Sequence, residues 1–301
     1  MLKYVPIMSL SRGIFATLQI FEIESEVIYL ILKDRDGIER CSLDPENALL
    51  SISSYDKLYR VQAMDSDEEL LLRMPNSRFL NGRINLEAEH LRALAQESEK
   101  IEAKFAGSGN DGYIHYDWLF PQLVDTFITE SEQDFRQANL LAIRDARVSD
   151  FVPMVKLMDY CKIDAKTAAW ILGRFFKLQT FTDQTDIHFS FHVDQVLLEP
   201  VYHRMVYLGW QDSDGDDNIT LAGKAILDWT ISHDIDDEER FIDLLRHFSS
   251  MPRGTTGGQA HAELYGFIKK YWGRKYYPFT YYIESDKRWL QSKTSLFFKE
   301  G

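Results

Sequence analysis

The stretch that most constrains this chain runs from residue 194 to residue 229, where two helical patterns flank a glycine and a turn-rich segment. The first pattern places apolar side chains on one face, at Leu197, Val201, Met205 and Leu208. This spacing predicts a helix that ends at Gly209, since a glycine just past the last periodic residue commonly stops a helix. Trp210-Gln211 and Asn218-Ile219 then flank an Asp- and Gly-rich turn and predict a hairpin, after which Thr220 is placed to cap a second helix.

This order of elements resembles the end of a winged helix-turn-helix domain, and the resemblance extends over residues 149–232. Upstream, Asp150 and Asp164 can each open a helix, and Lys162-Ile163 joins the two into a helix-turn-helix. A further hairpin is predicted from Leu178 to Val193, around Asp183–Asp186. The region can therefore be one winged helix with an inserted hairpin, or two winged helices in tandem. Winged helices serve both DNA binding and protein assembly, so the resemblance implies a type of module rather than one task.

Residues 1–75 are predicted to form an antiparallel β domain. Three segments rich in β-branched and aromatic residues, Ile14–Ile23, Val27–Lys33 and Ile38–Leu43, read as strands. Asp36-Gly37 supplies a hairpin turn between the last two. Turn signals place the end of this domain between residues 63 and 83.

Residues 76–148 are predicted to be a helical region. One stripe from residue 85 to residue 105 ends at a glycine-rich segment, Gly107–Gly112. Two further helices are predicted, one opened by Asp117 with Phe120 and Phe127 inward, and one from Ser131 to Arg144.

Residues 233–301 are predicted to be a helical C-terminal region that ends in a basic aromatic segment. Helical stripes appear at residues 241–248 and 264–271. The fold class predicted for the whole chain is therefore α+β: an antiparallel sheet, a helical middle, a winged-helix region and a helical C-terminal portion.

Charge and composition limit the possible environments and partners. The formal net charge is −13, yet residues 252–301 hold nine Lys/Arg and four Asp/Glu, so an acidic body carries a locally basic end. A net negative protein repels nucleic acid at long range, although a local basic face can still bind it. The sequence shows no signal peptide and no apolar run of membrane-spanning length, which predicts a cytoplasmic protein without membrane contact. Cys41 and Cys161 match no ligand motif and are expected to be buried.

Two clusters are candidates for binding nucleic acid. The first cluster lies just before and along the predicted second helix of the helix-turn-helix, and the second lies near the C-terminus. The residues are Lys162, Lys166, Arg174 and Lys177 in the first cluster, and Lys269, Lys270, Arg274 and Lys275 in the second. Against a DNA role, the predicted wing carries four carboxylates, Asp212, Asp214, Asp216 and Asp217, which would oppose phosphates.

The aromatic side chains of the C-terminal segment are candidates for a protein interface, since aromatic residues dominate interface hot spots. They are Tyr271, Trp272, Tyr276 and Tyr277. The alternative for the same rings is burial in the core, which is the more frequent fate of aromatic side chains.

Motifs for catalysis and for metal binding do not emerge. The Asp-rich turn lacks the glycine and the final glutamate of a calcium-binding loop, and His188 and His192 would lie too far apart on a strand to share an ion. Glu102 and Lys104 echo a nuclease pair but fall in a helical pattern, on nearly opposite sides. No catalytic residue, metal or cofactor is therefore assigned.

The sequence thus favours a non-catalytic subunit that uses a winged helix as an assembly surface, and fold analogy suggests a nucleic-acid-processing or antiviral defence complex. Its expected partner is another protein subunit, with nucleic acid as a possible second ligand. The alternatives are a winged-helix DNA-binding regulator in which Lys166, Arg174 and Lys177 face the groove, and a metal-dependent nuclease with an unrecognised site.

Overall fold

The structure is a computed structural model. It describes residues 3–5, 15–22, 28–34, 38–43, 49–52, 55–63, 69–105, 116–131, 134–160, 163, 165–199, 204–211, 217–229 and 238–273.

The chain divides into two compact units. The first comprises residues 1–100, 120–150 and 210–212, and the second comprises residues 101–119, 151–209 and 213–301. The first contains a nine-stranded antiparallel sheet, and the second contains a three-stranded antiparallel sheet and most of the helices. The predicted α+β class is confirmed at this level. Within the described residues, no helix is both long and apolar enough to cross a membrane.

The nine strands of the first unit follow the order β1-β2-β3-β4-β6-β7-β9-β8, with β5 paired to β6. Their bounds are β1 Lys3–Val5, β2 Phe15–Glu22, β3 Ile28–Asp34, β4 Ile38–Leu43, β5 Leu49–Ile52, β6 Asp56–Ala63, β7 Glu69–Pro75, β8 Gln122–Ser131 and β9 Asp134–Ala142. The predicted antiparallel pairing of these two strands is confirmed, because β3 and β4 pair with Lys33 opposite Ile38. The predicted turn residues Asp36-Gly37 lie outside the described residues.

The sheet does not end near residue 75, because strands from the predicted helical region 76–148 complete it. The helices predicted from Asp117 and over Ser131–Arg144 are wrong, since β8 and β9 occupy those segments. β9 lies between β7 and β8, and Ala138, Leu140 and Leu141 are all buried on it. A strand that is buried on both faces loses the alternation of a half-exposed strand, so its apolar spacing can imitate that of a helix.

The long helix α1, Asn81–Phe105, confirms the helix predicted over residues 85–105. Its buried face repeats at helical spacing through Ile84, Ala88, Leu91 and Leu94. The Asn139 side chain on β9 donates a hydrogen bond to the Ile84 carbonyl at 2.9 Å, which fixes the start of α1 to the sheet. Burying each of the isoleucine and leucine side chains stabilises the fold by roughly 1.5–3 kcal/mol.

The second unit contains three short strands and five helices among the described residues. The strands are β10 Val152–Pro153, β11 Val196–Glu199 and β12 Arg204–Tyr207, in that order in the sheet. The helices are α2 Met154–Tyr160, α3 Ala165–Thr182, α4 Asn218–Asp228, α5 Glu238–Phe248 and α6 Gly257–Phe267, and a π-helical turn, Ile268–Trp272, follows α6. The predicted helices around residues 165–178, 241–248 and 264–268 are confirmed.

The predicted helix over residues 194–208 is wrong, because β11 and β12 form a hairpin there with Leu197 opposite Val206. Every residue of both strands is buried, so the apolar positions do not alternate and resemble a helical stripe. Pro200 was the signal against a helix, since a proline disfavours the helical conformation of the residue before it. The strand predicted over Ile187–Val193 is also wrong, because those residues form an extended loop that enters a 3₁₀ turn.

The segment after β12 also differs from the predicted wing. Asn218 and Ile219 belong to α4 rather than to a hairpin strand, and residues 212–216 lie outside the described residues. Thr220 does not cap the helix, because its hydroxyl donates to the Met251 carbonyl at 3.0 Å. The helix on which the winged-helix resemblance depended is thus a pair of strands, and the structure does not confirm a winged-helix layout.

Helix α6 is held closely against α3. Thr256 and Gln259 form a capping box in which each side chain accepts a hydrogen bond from the other residue's backbone, at 3.2 and 3.1 Å. Gly257 follows the cap, and a Cβ atom there would lie 2.3 Å from the Thr180 backbone nitrogen. The glycine therefore permits an approach that no other residue allows, and it places one face of α6 against one face of α3.

Candidate functional site

A buried ion cluster joins β6, β7 and α1 in the first unit. The guanidinium of Arg73 lies between two carboxylates: Nε is 3.0 Å from Oε1 of Glu87, and Nη1 is 3.2 Å from Oδ1 of Asp56. The side chains of Arg73 and Glu87 are both 0% exposed. An ion pair so completely removed from water requires close geometry and further hydrogen bonds to offset the cost of desolvation.

Those further hydrogen bonds come from two amide side chains. Asn139 on β9 donates to Oε2 of Glu87 at 2.8 Å, and Gln211 donates to Oε1 at 3.0 Å. Gln211 belongs to a short segment of the first unit whose Trp210 carbonyl accepts a hydrogen bond from Nδ1 of His90 at 2.9 Å. A carbonyl can only accept, so this contact requires the tautomer of His90 that carries its proton on Nδ1. The cluster therefore ties residues 210–211 to α1.

The cluster holds one guanidinium and two carboxylates, so it carries a net negative charge when both acids are ionised. Burial raises the pKa of Glu87 from its ordinary value of 4.5 to about 7, and the nearby Asp56 charge acts in the same direction. Arg73 and the Asn139 and Gln211 hydrogen bonds oppose this rise. A proton on Glu87 near neutral pH relieves the excess buried charge.

A second set of polar contacts, in the second unit, holds the loop of residues 187–195. The Asn218 side chain donates to the Phe189 carbonyl and accepts from the Phe191 backbone N–H, each at 2.8 Å. The Tyr207 hydroxyl donates to the Ser190 carbonyl and accepts from the His192 N–H at 3.2 Å. These bonds satisfy backbone groups that would otherwise be partly buried without partners.

Tyr207 also fills the space beside Gly209. A Cβ atom on Gly209 would lie 2.2 Å from the Tyr207 hydroxyl oxygen and 2.6 Å from Cζ. Any side chain at position 209 therefore requires Tyr207 to move, which would break its contacts with the 187–195 loop. The Tyr207 ring is itself enclosed, with the Phe189 ring centre 5.0 Å away and the Phe191 ring centre 6.2 Å away.

Among the described residues, no three His, Cys, Asp or Glu side chains come together in a way that could hold a metal ion. His188 and His192 are both exposed on the 187–195 loop. Asp194, which precedes β11 in a 3₁₀ turn, is the loop's single carboxylate.

The described basic residues of the predicted helix-turn-helix, Lys166, Arg174 and Lys177, do not form an open face. Arg174 and Lys177 lie on α3 and line a cavity of about 570 Å³ together with residues of α6, and Lys166 is half-buried. Eleven of the eighteen residues of α3 are buried. A helix that enters the major groove must present an exposed face, so this packing disfavours the predicted groove contacts. Lys162 lies outside the described residues, as does Cys161.

The C-terminal candidates are only partly described. Lys269 and Lys270 are exposed, and Tyr271 is half-buried. Trp272 was predicted as a partner contact, but it is 3% exposed and packs with Phe241 and Phe267 at ring-centre distances of 5.3 and 5.4 Å. Burial against these rings removes Trp272 from any surface. Arg274, Lys275, Tyr276 and Tyr277 lie outside the described residues.

Sequence reasoning missed the ion cluster, although two signals were present. Arg73 follows Leu70-Leu71-Leu72 on an apolar strand, and Glu87 lies on the same helical stripe as Ile84, Ala88 and Leu91. A charge at a core position is almost always paired, so each residue predicted a partner. The sequence pattern did not reveal that the two residues are partners, because their contact depends on how α1 packs against β7.

The raised pKa of Glu87 predicts a pH dependence of stability. Between pH 4.5 and about 7 the folded protein holds a proton at Glu87 that the unfolded chain releases. The stability contributed by this proton is complete below pH 4.5 and is lost as the pH rises to about 7. We expect the unfolding free energy of the wild type, measured in urea, to fall relative to that of Glu87→Gln across this window. A constant difference between the two proteins would contradict the assignment.

The close approach of Tyr207 predicts that Gly209→Ala destabilises the protein by about 1–3 kcal/mol, the usual cost of overpacking a core. The matched control is Gly266→Ala on α6, where a Cβ atom would meet nothing within 4 Å. That control should leave stability unchanged or raise it by up to about 1 kcal/mol. Tyr207→Leu should reduce the cost of the alanine at position 209; equal costs in both backgrounds would show that the ring is not the obstacle.

Comparison with known proteins finds a similarity of fold. Neither a protein-family model nor a curated protein sequence matches the chain. Among solved structures, the structure of vaccinia related kinase 3 is similar, with a TM-score of 0.54 and 10% sequence identity, covering 83% of this chain and 93% of that chain. At this identity the likeness concerns the fold alone.

Proposed function

We propose that this chain is a protein of kinase-like fold that does not transfer phosphate and instead acts as an assembly subunit. The observation that carries the proposal is the complete burial of Arg73 between Asp56 and Glu87. The similarity of fold to a kinase allows Arg73 to be compared with the residue that binds nucleotide in kinases.

Protein kinases place a lysine on a strand of the N-terminal sheet and pair it with a glutamate of the following helix, so that the lysine can hold nucleotide phosphates. Arg73 on β7 and Glu87 on α1 occupy a comparable strand–helix arrangement. However, Arg73 is 0% exposed and contacts a second carboxylate, Asp56. A guanidinium enclosed in this way supports a structural role better than a role in phosphate binding.

The loop that precedes β11 supports the same proposal. Kinase catalytic loops carry an aspartate five residues before an asparagine, in the spacing His-Arg-Asp-Leu-x-x-x-Asn. Two histidines of the loop can begin this spacing. With His188 first, Ser190 falls at the aspartate and Gln195 at the asparagine; with His192 first, Asp194 falls at the aspartate and Glu199 at the asparagine. Neither register supplies both groups, since a serine hydroxyl is a poor acceptor for the proton of a substrate hydroxyl and Glu199 is buried on β11.

β12 and the described residues that directly follow it, up to residue 211, offer no replacement for the metal-binding aspartate. Kinases carry Asp-Phe-Gly there, and the aspartate holds magnesium. None of residues 204–211, all of which are described, is an aspartate or a glutamate. Beside Gly209, the Tyr207 ring fills the space that a side chain would need.

A surface suited to partner binding lies on the first unit at the turn before α1. We define the Phe79 surface as Tyr55, Arg78, Phe79 and Arg83. Phe79 is 84% exposed and Tyr55 is 49% exposed. The guanidinium carbons of Arg78 and Arg83 lie 5.1 and 4.3 Å from the ring centres of Phe79 and Tyr55, respectively.

Aromatic residues and arginine are among the residue types enriched at protein interfaces. The arginine side chains order the rings of the Phe79 surface before any partner binds, which lowers the entropy cost of association. This surface is therefore the docking site that we assign to the assembly role.

The test is affinity purification of the tagged full chain from its native cells, followed by quantitative mass spectrometry. Phe79→Ala should reduce the recovered partner by about tenfold or more, the effect of removing a hot-spot aromatic. The matched control, Leu221→Ser, alters another exposed apolar residue, 38% exposed on α4, and should leave recovery unchanged.

The same preparations are then incubated with labelled ATP and Mg²⁺ or Mn²⁺, and the expected result is no labelled product. Metal-dependent phosphoryl transfer that Arg73→Met abolishes would contradict the non-catalytic role. Equal partner loss in Phe79→Ala and Leu221→Ser would contradict the assigned surface.

A further inference from the structure

The cavity of the second unit is built from two facing helical stripes. Its volume is about 570 Å³, within the range of small-molecule sites. The α3 stripe contributes Trp170, Arg174 and Lys177, spaced four and three residues apart. The α6 side contributes a matching stripe, namely His261, Leu264, Tyr265 and Ile268. The close helix contact at Gly257 and the capping box fix these stripes opposite one another.

The charged groups of the lining all have the same sign. Arg174, Lys177 and His261 can carry positive charge, and none of the described lining residues is an aspartate or a glutamate. The Lys177 ammonium lies 5.1 Å from the Tyr116 ring centre, so an aromatic face provides part of its surroundings. A cationic recess is unusual in a chain of net charge −13.

Burial, with a smaller effect of like charge, lowers the pKa values of two of these groups. Burial, followed by the Arg174 charge, lowers the pKa of Lys177 to about 8. Burial and the Lys177 charge lower the pKa of His261. A cationic side chain in a partly desolvated recess can form a charge-assisted hydrogen bond with a bound anion.

Apart from Gly173 and Thr180, the rest of the lining is aromatic and aliphatic. Tyr116 stacks on Phe181 with ring centres 4.6 Å apart, which orders it at the wall of the cavity. Tyr265 is 61% exposed at the cavity, an exposure that is large for an aromatic side chain. Trp170, Leu264 and Ile268 complete a lining that suits a flat apolar body rather than a hydrated ion alone.

We propose that the cavity between α3 and α6 binds a small organic anion in which one carboxylate or phosphate is joined to a flat apolar ring system. Arg174 and Lys177 hold the anionic group, and Trp170, Tyr116 and Tyr265 contact the rings. This site lies wholly within the second unit and uses neither the Arg73 cluster nor the Phe79 surface.

The test uses the full chain and three probes of similar size: 2-naphthoate, 1-naphthyl phosphate and the neutral 2-naphthalenemethanol. Binding is measured by isothermal titration calorimetry at low salt. At least one of the two anions should bind at one site, and the neutral alcohol should bind at least about tenfold more weakly, since hydrogen bonds to charged groups exceed neutral ones. A preference between the two anions would distinguish a carboxylate ligand from a phosphate ligand.

Variants then locate the site. Arg174→Gln and Lys177→Gln should each weaken binding of the preferred anion by about tenfold or more, and Lys177→Arg should retain it because the positive charge remains. Lys224→Gln removes an exposed cation on α4 and is the matched control. The proposal is overturned if neither anion binds up to millimolar concentration, if the alcohol binds equally well, or if Lys224→Gln weakens binding as much as Lys177→Gln.

Discussion

The first unit depends on one interaction, the enclosure of the Arg73 guanidinium by Asp56 and Glu87. Removing three charges from water costs several kcal/mol for each ion, and only close contacts in the interior can return that energy. The distances of 3.0 and 3.2 Å, together with the amide donors on Glu87, provide those contacts. Because the partners come from β6, β7, β9, α1 and residue 211, the geometry of the cluster fixes the positions of all five. Loss of any one member would leave a charge or a polar group buried without its partner.

In the second unit, too, polar side chains stabilise the fold. Asn218 and Tyr207 satisfy backbone groups of the 187–195 loop. Under the proposed function, the two places that carry chemistry in a kinase are occupied by contacts that stabilise this protein. Binding capacity then lies elsewhere, on the aromatic and arginine side chains before α1 and in the cationic cavity between α3 and α6.

The sequence revealed those elements whose local pattern agreed with their tertiary surroundings. The strands of residues 15–43 were predictable from β-branched residues and Asp36-Gly37, and α1 from its long apolar stripe. Residues 194–208 were misread because both strands of the hairpin are fully buried, which erases the alternation that distinguishes a strand. Pro200 carried the correct signal, but the apolar spacing outweighed it. β9 was misread in the same way, since residues 137–141 are all buried.

The candidate site was less predictable than the fold. Arg73 and Glu87 were recognisable one at a time as charges at core positions, whereas their pairing across a strand and a helix is a property of tertiary structure. The sequence pattern does not predict the contact between Tyr207 and Gly209. The pattern predicted instead that Gly209 ends a helix, which is a common position for glycine. Arg174 and Lys177 were noticed for their charge, but only the packing of α6 shows that they face a cavity.

The most direct test of the central claim is a double-mutant cycle on the ion pair, measured as unfolding free energy in urea with and without millimolar ATP and Mg²⁺. The variants are Arg73→Met, Glu87→Leu and the double variant, all in an Asp56→Asn background so that the other carboxylate is neutral. Glu87→Leu should lose about 3–5 kcal/mol, because it leaves the Arg73 charge buried without a partner. Arg73→Met should lose less, because Glu87 can be neutralised by a proton once Arg73 is removed. The double variant should lose far less than the sum of the two. Nucleotide should change none of these values. Additive losses, or a stabilisation by Mg²⁺-ATP that requires Arg73, would contradict a purely structural cluster.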